Sequence, residues 1–245
     1  MPLTRPAGIS QRWRHALAGL AGWLPSQCAL CHAWPHGPLC HACLACHAPP
    51  VHRCAGCALA LPAGAPLCGQ CLRTPPPWDA CLTAVDYGFP WSALLARFKF
   101  QAEPGLAATL AQLMRSAPGA SSAVAQADWV LPMPLSPARL RQRGYNQALL
   151  LARALAPERA HARLLLRTHH AEAQSHLTRA QRLTNLRGAF MLDAGQAAQL
   201  QGRTVLLIDD VMTTGATLHA AAQPLRAAGV ARLTTLVLAR TPAPG

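Results

Sequence analysis

Lysine is nearly missing from this chain: Lys99 stands alone beside 21 arginines. Acids are scarce too, nine in 245 residues, which leaves a formal net charge of +13. A chain so short of carboxylates is a poor receptor for cationic partners, and each acid it does keep carries more meaning. Arginine, alanine and proline richness with little lysine also follows from GC-rich coding, so the distribution of charge says more than its total. Aromatics make up 5 % and are thinly spread, so no stacking platform for bases is evident. No apolar run approaches the roughly 20 residues of a membrane-spanning helix. Ala16 to Leu24, after Arg12 and Arg14, is short and leads into Pro25-Ser26-Gln27 rather than a small-residue cleavage site. It reads as a short amphipathic helix packed on the protein and not as a secretory leader, which makes a cytoplasmic location and no membrane insertion the expectation.

Cysteine is absent outside Cys28 to Cys81, where all ten occur. In a reducing compartment paired CxxC motifs mean metal more often than disulfides. Cys28-x-x-Cys31 and Cys40-x-x-Cys43 form one set, Cys54-x-x-Cys57 and Cys68-x-x-Cys71 another. Two such knuckles about ten residues apart can put four thiolates at the corners of a tetrahedron, the closed geometry of structural zinc. One or two Zn²⁺ ions in a double ribbon are expected, supplying much of the segment's folding free energy, on the order of 10–16 kcal/mol in small fingers. Spacing leaves three points open. Cys46 offers an alternative register with Cys43, interleaved pairing of the two sets is allowed, and His32, His36, His41, His47 and His52 are possible substitute ligands. Cys81 reads as a small core residue.

The chain divides into an N-terminal segment (1–27), the cysteine-rich ribbon (28–73), a proline-rich linker (74–80) and an α/β domain (81–241). In the last, Leu82 to Phe89 reads as a strand, followed by helices from Pro90 to about Phe100 and Gly105 to about Arg115. Lys99 closes the first helix, where a solvated end is its expected place and the phosphates of a ligand the alternative. Residues 116–127 read as a low-complexity connection, Trp129 to Leu131 as a second core strand, Asn146 to Ala156 as a helix, Arg163 to Arg167 and Leu233 to Ala239 as strands. From Arg139 to Arg187 ten arginines meet only Glu158 and Glu172, a local net of +8. Arginine's planar fork suits bidentate phosphate contacts, so this band serves pyrophosphate, nucleic acid or a merely solvated face.

The decisive stretch is Val205-Leu206-Leu207-Ile208-Asp209-Asp210-Val211-Met212-Thr213-Thr214-Gly215-Ala216-Thr217. Four apolar residues read as a strand buried on both faces, which belongs to a parallel sheet. Two acids then fall at the carboxyl edge, where ligands bind in open α/β sheets. The Thr-Thr-Gly-Ala-Thr run, just before a helix, is a cradle for one phosphate. A Walker A loop needs a lysine that is not there. A receiver-type acidic pocket does not need the hydroxyls. Acids beside a phosphate cradle suit a ligand with vicinal hydroxyls and a phosphate, such as ribose 5-phosphate.

This stretch resembles the PRPP-binding motif of type I phosphoribosyltransferases. The resemblance implies that Asp209 and Asp210 hold the ribose hydroxyls, that Val211, Met212, Thr213, Thr214, Gly215, Ala216 and Thr217 hold the 5′-phosphate, and that Mg²⁺ accompanies PRPP. Arg139, Arg141 and Arg143, with Gly144 permitting close approach, are placed to receive pyrophosphate. The polar stretch Thr168 to Gln181, with His169, His170 and His176, resembles the loop that closes over PRPP in that family. Pro132-Met133-Pro134-Leu135, then Arg139-Leu140-Arg141-Gln142-Arg143-Gly144-Tyr145-Asn146-Gln147, the cysteine ribbon, and Gln174, Leu177, Arg179, Arg182, Asn185, Gly188 and Phe190 together resemble the ComF family. That implies a type I phosphoribosyltransferase-like parallel sheet with helices on both faces, a small zinc ribbon, and a link to competence and DNA uptake. Three functions stay open: a transferase of unknown acceptor, a single-stranded DNA binder using PRPP as a regulatory ligand, and an adaptor docking through its ribbons. The first requires both aspartates to face the ligand and not to turn inward into salt bridges.

Overall fold

In the computed structural model residues 26–35, 37–168 and 188–243 are described, in two compact units, Met1–Pro49 and Pro50–Gly245. The helix expected before Pro25 and the loop histidines 169, 170 and 176 lie outside the described residues, as do Gln174, Leu177, Arg179, Arg182 and Asn185. The unit boundary falls inside the cysteine-rich segment and not at 74–80. The first cysteine set, with helix α1 (His41–His47), belongs to the smaller unit; the second, with α2 (Gly69–Arg73), folds with the sheet.

Strand β1 (Ala80–Asp86) is followed by α3 (Trp91–Phe100) and α4 (Leu106–Ser116), close to expectation. Residues 116–127 are not a plain connection: Ala120–Gln126 forms helix α5, entered through the left-handed Gly119. Its Ser, Ala and Val composition lacks an apolar stripe, and burial of Ala120 and Val124 decides the matter. Then come β2 (Trp129–Pro132), α6 (Pro137–Arg143), α7 (Gln147–Leu155), β3 (Leu165–Arg167), β4 (Phe190–Leu192), β5 (Thr204–Met212), α8 (Ala216–Ala227) and β6 (Arg232–Arg240).

Strands β1, β6, β5 and β2 lie side by side in that order, all parallel; β3 and β4 form a separate antiparallel pair. Val205, Leu207, Leu233 and Val237 share a core cluster with Leu218, Ala221, Ala222 and Leu225 of α8. Strand alternation sends Leu206, Ile208, Leu236 and Leu238 to the opposite face, where α4 and α7 pack on β6 and β5. Both faces are covered, which is why the central strand reads as an unbroken apolar run. Cys81 is buried, its Sγ 3.6 Å from Met212 Sδ, as a small core residue should be.

The register sets up the site. β2 pairs with β5 only as far as Pro132 opposite Ile208, and the Met133 N–H makes the last bond, 2.8 Å, to Ile208 O. The prolines at 132 and 134 then carry the chain away. Asn146 fixes where it returns: its Oδ1 caps α7 at the Leu149 N–H (3.2 Å) and its Nδ2 donates to Met133 O (3.0 Å). Asn146→Ala removes both, and a loss of about 1–2 kcal/mol is expected in urea unfolding of the zinc-loaded chain.

Candidate functional site

Past Ile208, β5 continues to Met212 on β6 alone, with Asp209 opposite Val237 and Met212 opposite Arg240. The diacid therefore sits within the strand, on the stretch whose other side β2 has abandoned. A crevice at the carboxyl edge of a parallel sheet follows.

Asp210 holds an ion pair: Lys99 Nζ from the end of α3 lies 2.9 Å from its Oδ1, with only 15 % and 13 % of the two side chains exposed. The solvated helix end expected for Lys99 is thus corrected, and Asp210 departs from the requirement that both acids be unpaired. Among the described residues no ion pair reaches Asp209, whose Oδ1 accepts the Asp210 N–H at 2.9 Å. Burial pushes the Asp209 carboxyl up, the Asp210 charge pushes the same way, and the Asp210 N–H, Lys99 and Arg143 only partly offset them, leaving it at about 7.

Arg143 ends α6 and bonds Gln147 Oε1 at 3.1 Å, with its guanidinium 5.2 Å from the centre of the Phe100 ring. Arg143 Nε and Gln147 Nε2 are buried donors with no partner among the described residues. Two such donors beside a diacid are what an anion would satisfy. Tyr145 OH donates to Phe98 O and so ties this loop to the helix that carries Lys99. Arg139 is exposed and acts on Arg167 of β3, whose guanidinium burial pulls down from its usual range, Arg139 adding to the effect and Asp209 opposing it. Arg141 is exposed in the last turn of α6, with no recorded contact to the diacid among the described residues.

Next along β5 the turn forms. Val211 is opposite Ala239, Met212 is buried, and Thr213 and Thr214 lead into Gly215, which caps α8 in a left-handed conformation (φ 76°). The positive φ is what calls for glycine here, since the nearest atom to an added Cβ, Met212 Cε at 2.5 Å, ends a flexible side chain that can move aside. Ala216 donates its N–H to Thr214 Oγ1 at 3.4 Å, and Thr217 lies in the first turn of α8. The twelve-residue helix presents its N-terminus on the same edge as the diacid.

The cysteines separate cleanly. Cys28, Cys31, Cys40 and Cys43 bring their sulfurs within 4.8 Å of one another, as do Cys54, Cys57, Cys68 and Cys71. Cys31 to Cys40 and Cys57 to Cys68 are each 3.7 Å between sulfurs. Sulfurs about 2.3 Å from a tetrahedral zinc are roughly 3.8 Å apart, so both sets could hold structural zinc. Pairing is sequential, Cys46 is exposed outside the clusters, and no described histidine joins either set; His36 lies outside the described residues. Burial pushes the Cys28 thiol up, but the N–H groups of Cys31, Cys40 and Leu30 outweigh it and bring it to about 6, while burial drives Cys43 upward. A divalent cation would ionise the rest.

Residues 152–245 match the family described as phosphoribosyl transferase domain. The chain is 34 % identical over 229 residues to the "DNA utilization protein YhgH" of Salmonella typhi, covering 89 % of this chain and 98 % of that one. It is 36 % identical over 195 residues to "Competence protein F" of Haemophilus influenzae (76 % and 84 %), and 39 % over 102 residues to "Competence protein ComFC" of Bacillus subtilis (42 % and 40 %). The chain belongs to the ComF family. Its fold is the phosphoribosyltransferase-like α/β sheet with cysteine clusters before it, and no helix among the described residues is long and apolar enough to cross a membrane.

Sequence reasoning on this ComF chain missed Lys99 and Arg167 as charges acting on the diacid and Gln147 as the partner of Arg143. Lys99 carried a signal, being the sole lysine, and Gln147 closes the stretch that resembles the ComF family; Arg167 carried none beyond a polar residue after an apolar run. Elemental analysis should find two zinc ions per chain, and Cys31→Ser and Cys57→Ser should each lose one. In a carbon-detected NMR titration Asp209 should ionise near 7, so a cation binding its charged form gains affinity as pH rises through that value. Lys99→Met removes a positive neighbour and should move the midpoint higher still.

Proposed function

We propose that this chain binds PRPP with Mg²⁺ and transfers its phosphoribosyl group to an acceptor, in a role tied to the use of incoming DNA. The observation that carries it is one sheet edge holding the diacid, the glycine-capped turn of α8, and two buried donors of Arg143 and Gln147 without partners. These suit the ribose hydroxyls, the 5′-phosphate and the pyrophosphate in turn.

The roles then follow from charge. Asp209 and Asp210 orient the sugar; Val211 to Thr217 anchor its phosphate; Arg143, with Arg139 and Arg141 from α6, faces the pyrophosphate, on which charge grows as the bond to C1 breaks. Mg²⁺, when bound with PRPP, neutralises pyrophosphate oxygens. Lys99 releases Asp210 as the sugar arrives, its ammonium remaining at hand for the departing anion. The ion pair therefore holds the Asp210 carboxylate in place until a ligand takes over. Residues around the diacid supply cationic charge on three sides, from α3, α6 and β3.

A second function, binding of single-stranded DNA with PRPP as a regulatory ligand, is favoured by one feature besides the names of the relatives. Phe89 and Phe100, at the two ends of α3, are 85 % and 65 % exposed, and Arg143 lies over the second. Exposed rings beside arginines suit stacked bases.

Calorimetry with PRPP and Mg²⁺ tests the ligand that both functions share. Asp210→Asn should weaken PRPP at least about tenfold, and unchanged affinity sinks the sugar–phosphate assignment. With PRPP bound, pyrophosphate release against a panel of nucleobases and DNA identifies a transferase. Affinity for single strands that falls steeply with salt, and falls again in Phe100→Ala, marks the DNA-binding function.

A further inference from the structure

Three successive carbonyls of the turn Cys54-Ala55-Gly56-Cys57 are each held by the rest of the larger unit. The Cys81 N–H donates to Ala55 O at 2.8 Å, Trp78 Nε1 to Gly56 O at 2.6 Å, and Arg240 Nε to Cys57 O at 2.9 Å. Arg53, just before the turn, bonds Asp86 at the end of β1 at 2.6 Å. The second cysteine cluster is thus fastened to the sheet through its own knuckle backbone.

Arg240 is buried at the end of β6, and its other end serves the phosphate turn. Nη1 donates to Thr213 O at 2.6 Å and Met212 O at 3.2 Å, and also to Thr241 O at 2.6 Å. In a planar trans peptide the C=O and the following N–H point opposite ways. Drawing Thr213 O back onto the guanidinium therefore turns the Thr214 N–H away from it, toward the side where the turn would meet an anion. Trp78 acts alongside: its Cη2 lies 3.8 Å from the position of a Cβ on Gly215. Cys57, Cys71, Trp78, Gly215 and Arg240 all border one cavity of about 390 Å³, so cluster and turn line a single space.

The sheet fixes the backbone of the first knuckle, but how the four cysteines are held together rests on what binds their sulfurs. Leu59, Leu61 and Leu67 are the partly buried apolar side chains around this cluster, too little for a core of its own, so a metal supplies the rigidity. We propose that Arg240 is a positioning residue through which metal occupancy of the Cys54, Cys57, Cys68 and Cys71 cluster sets the anion affinity of the Thr213 to Thr217 turn. The proposal rests on the assignment of that turn to the 5′-phosphate of PRPP. Coupling between two sites is reciprocal, so PRPP must tighten zinc at this cluster by the same factor that zinc tightens PRPP.

The test uses the full chain carrying Cys31→Ser, so that zinc is read at the second cluster alone. Zinc affinity is measured by chelator competition with and without PRPP and Mg²⁺, and PRPP affinity by calorimetry with and without zinc. The expected result is an equal factor in both directions, about tenfold or more. Arg240→Met should abolish the coupling while one zinc is still bound and the circular dichroism spectrum is unchanged; Arg240→Lys, which keeps the charge and loses the fork, should restore part of it. Where Arg240→Met does not fold, the reciprocal factor in the parent and its reduction in Arg240→Lys decide. PRPP binding indifferent to zinc, or full coupling without the guanidinium, overturns the role of Arg240 and leaves the phosphate site intact. No PRPP binding by the zinc-loaded chain overturns both.

Discussion

Everything at the site depends on β5 being held from one side only beyond Ile208. Its partner β6 keeps it extended as far as Met212, while β2 ends at Pro132 because the prolines that follow cannot sustain a ladder. Had β2 run on, Asp209 and Asp210 would lie in mid-sheet with no room for a ligand. The unequal lengths of two neighbouring strands turn an apolar core element into the floor of a crevice.

The crevice carries an electrostatic strain of its own. Two adjacent carboxylates in a half-buried place repel each other, and the chain has answered with its only lysine on one and a raised pKa on the other. In a protein with nine acids and 21 arginines, charge of the rarer sign is gathered where cations converge. The half-buried guanidinium of Arg167, which feels the charges of both Arg139 and Asp209, shows the same economy from the other side.

The central strand, the paired aspartates and the glycine turn were legible because each leaves a local signature: four apolar residues, a diacid, a residue that must adopt positive φ. The cysteine sets were legible from spacing, though their partition was not, since Cys43-x-x-Cys46 satisfies the same rule and only three-dimensional proximity excludes it. Helix Ala120–Gln126 escaped notice because small residues leave no periodic stripe and tertiary burial alone makes it a helix. Lys99 and Gln147 were hidden for a different reason. Lys99 reaches Asp210, and Gln147 reaches Arg143, from helix ends whose position over the strand no pattern in the chain records. A proline run looks like a hinge, yet Trp78 immediately after Pro77 is buried and bonded to Gly56.

That last attachment bears on how such a protein can be taken apart. The family match begins at residue 152 and the proline run invites a cut near 80, but the compact unit begins at Pro50. A fragment starting at β1 would expose Arg240 with its Cys57 acceptor gone and strip Trp78 from Gly215. A piece that keeps those contacts has to begin at Pro50, so the second knuckle travels with the sheet.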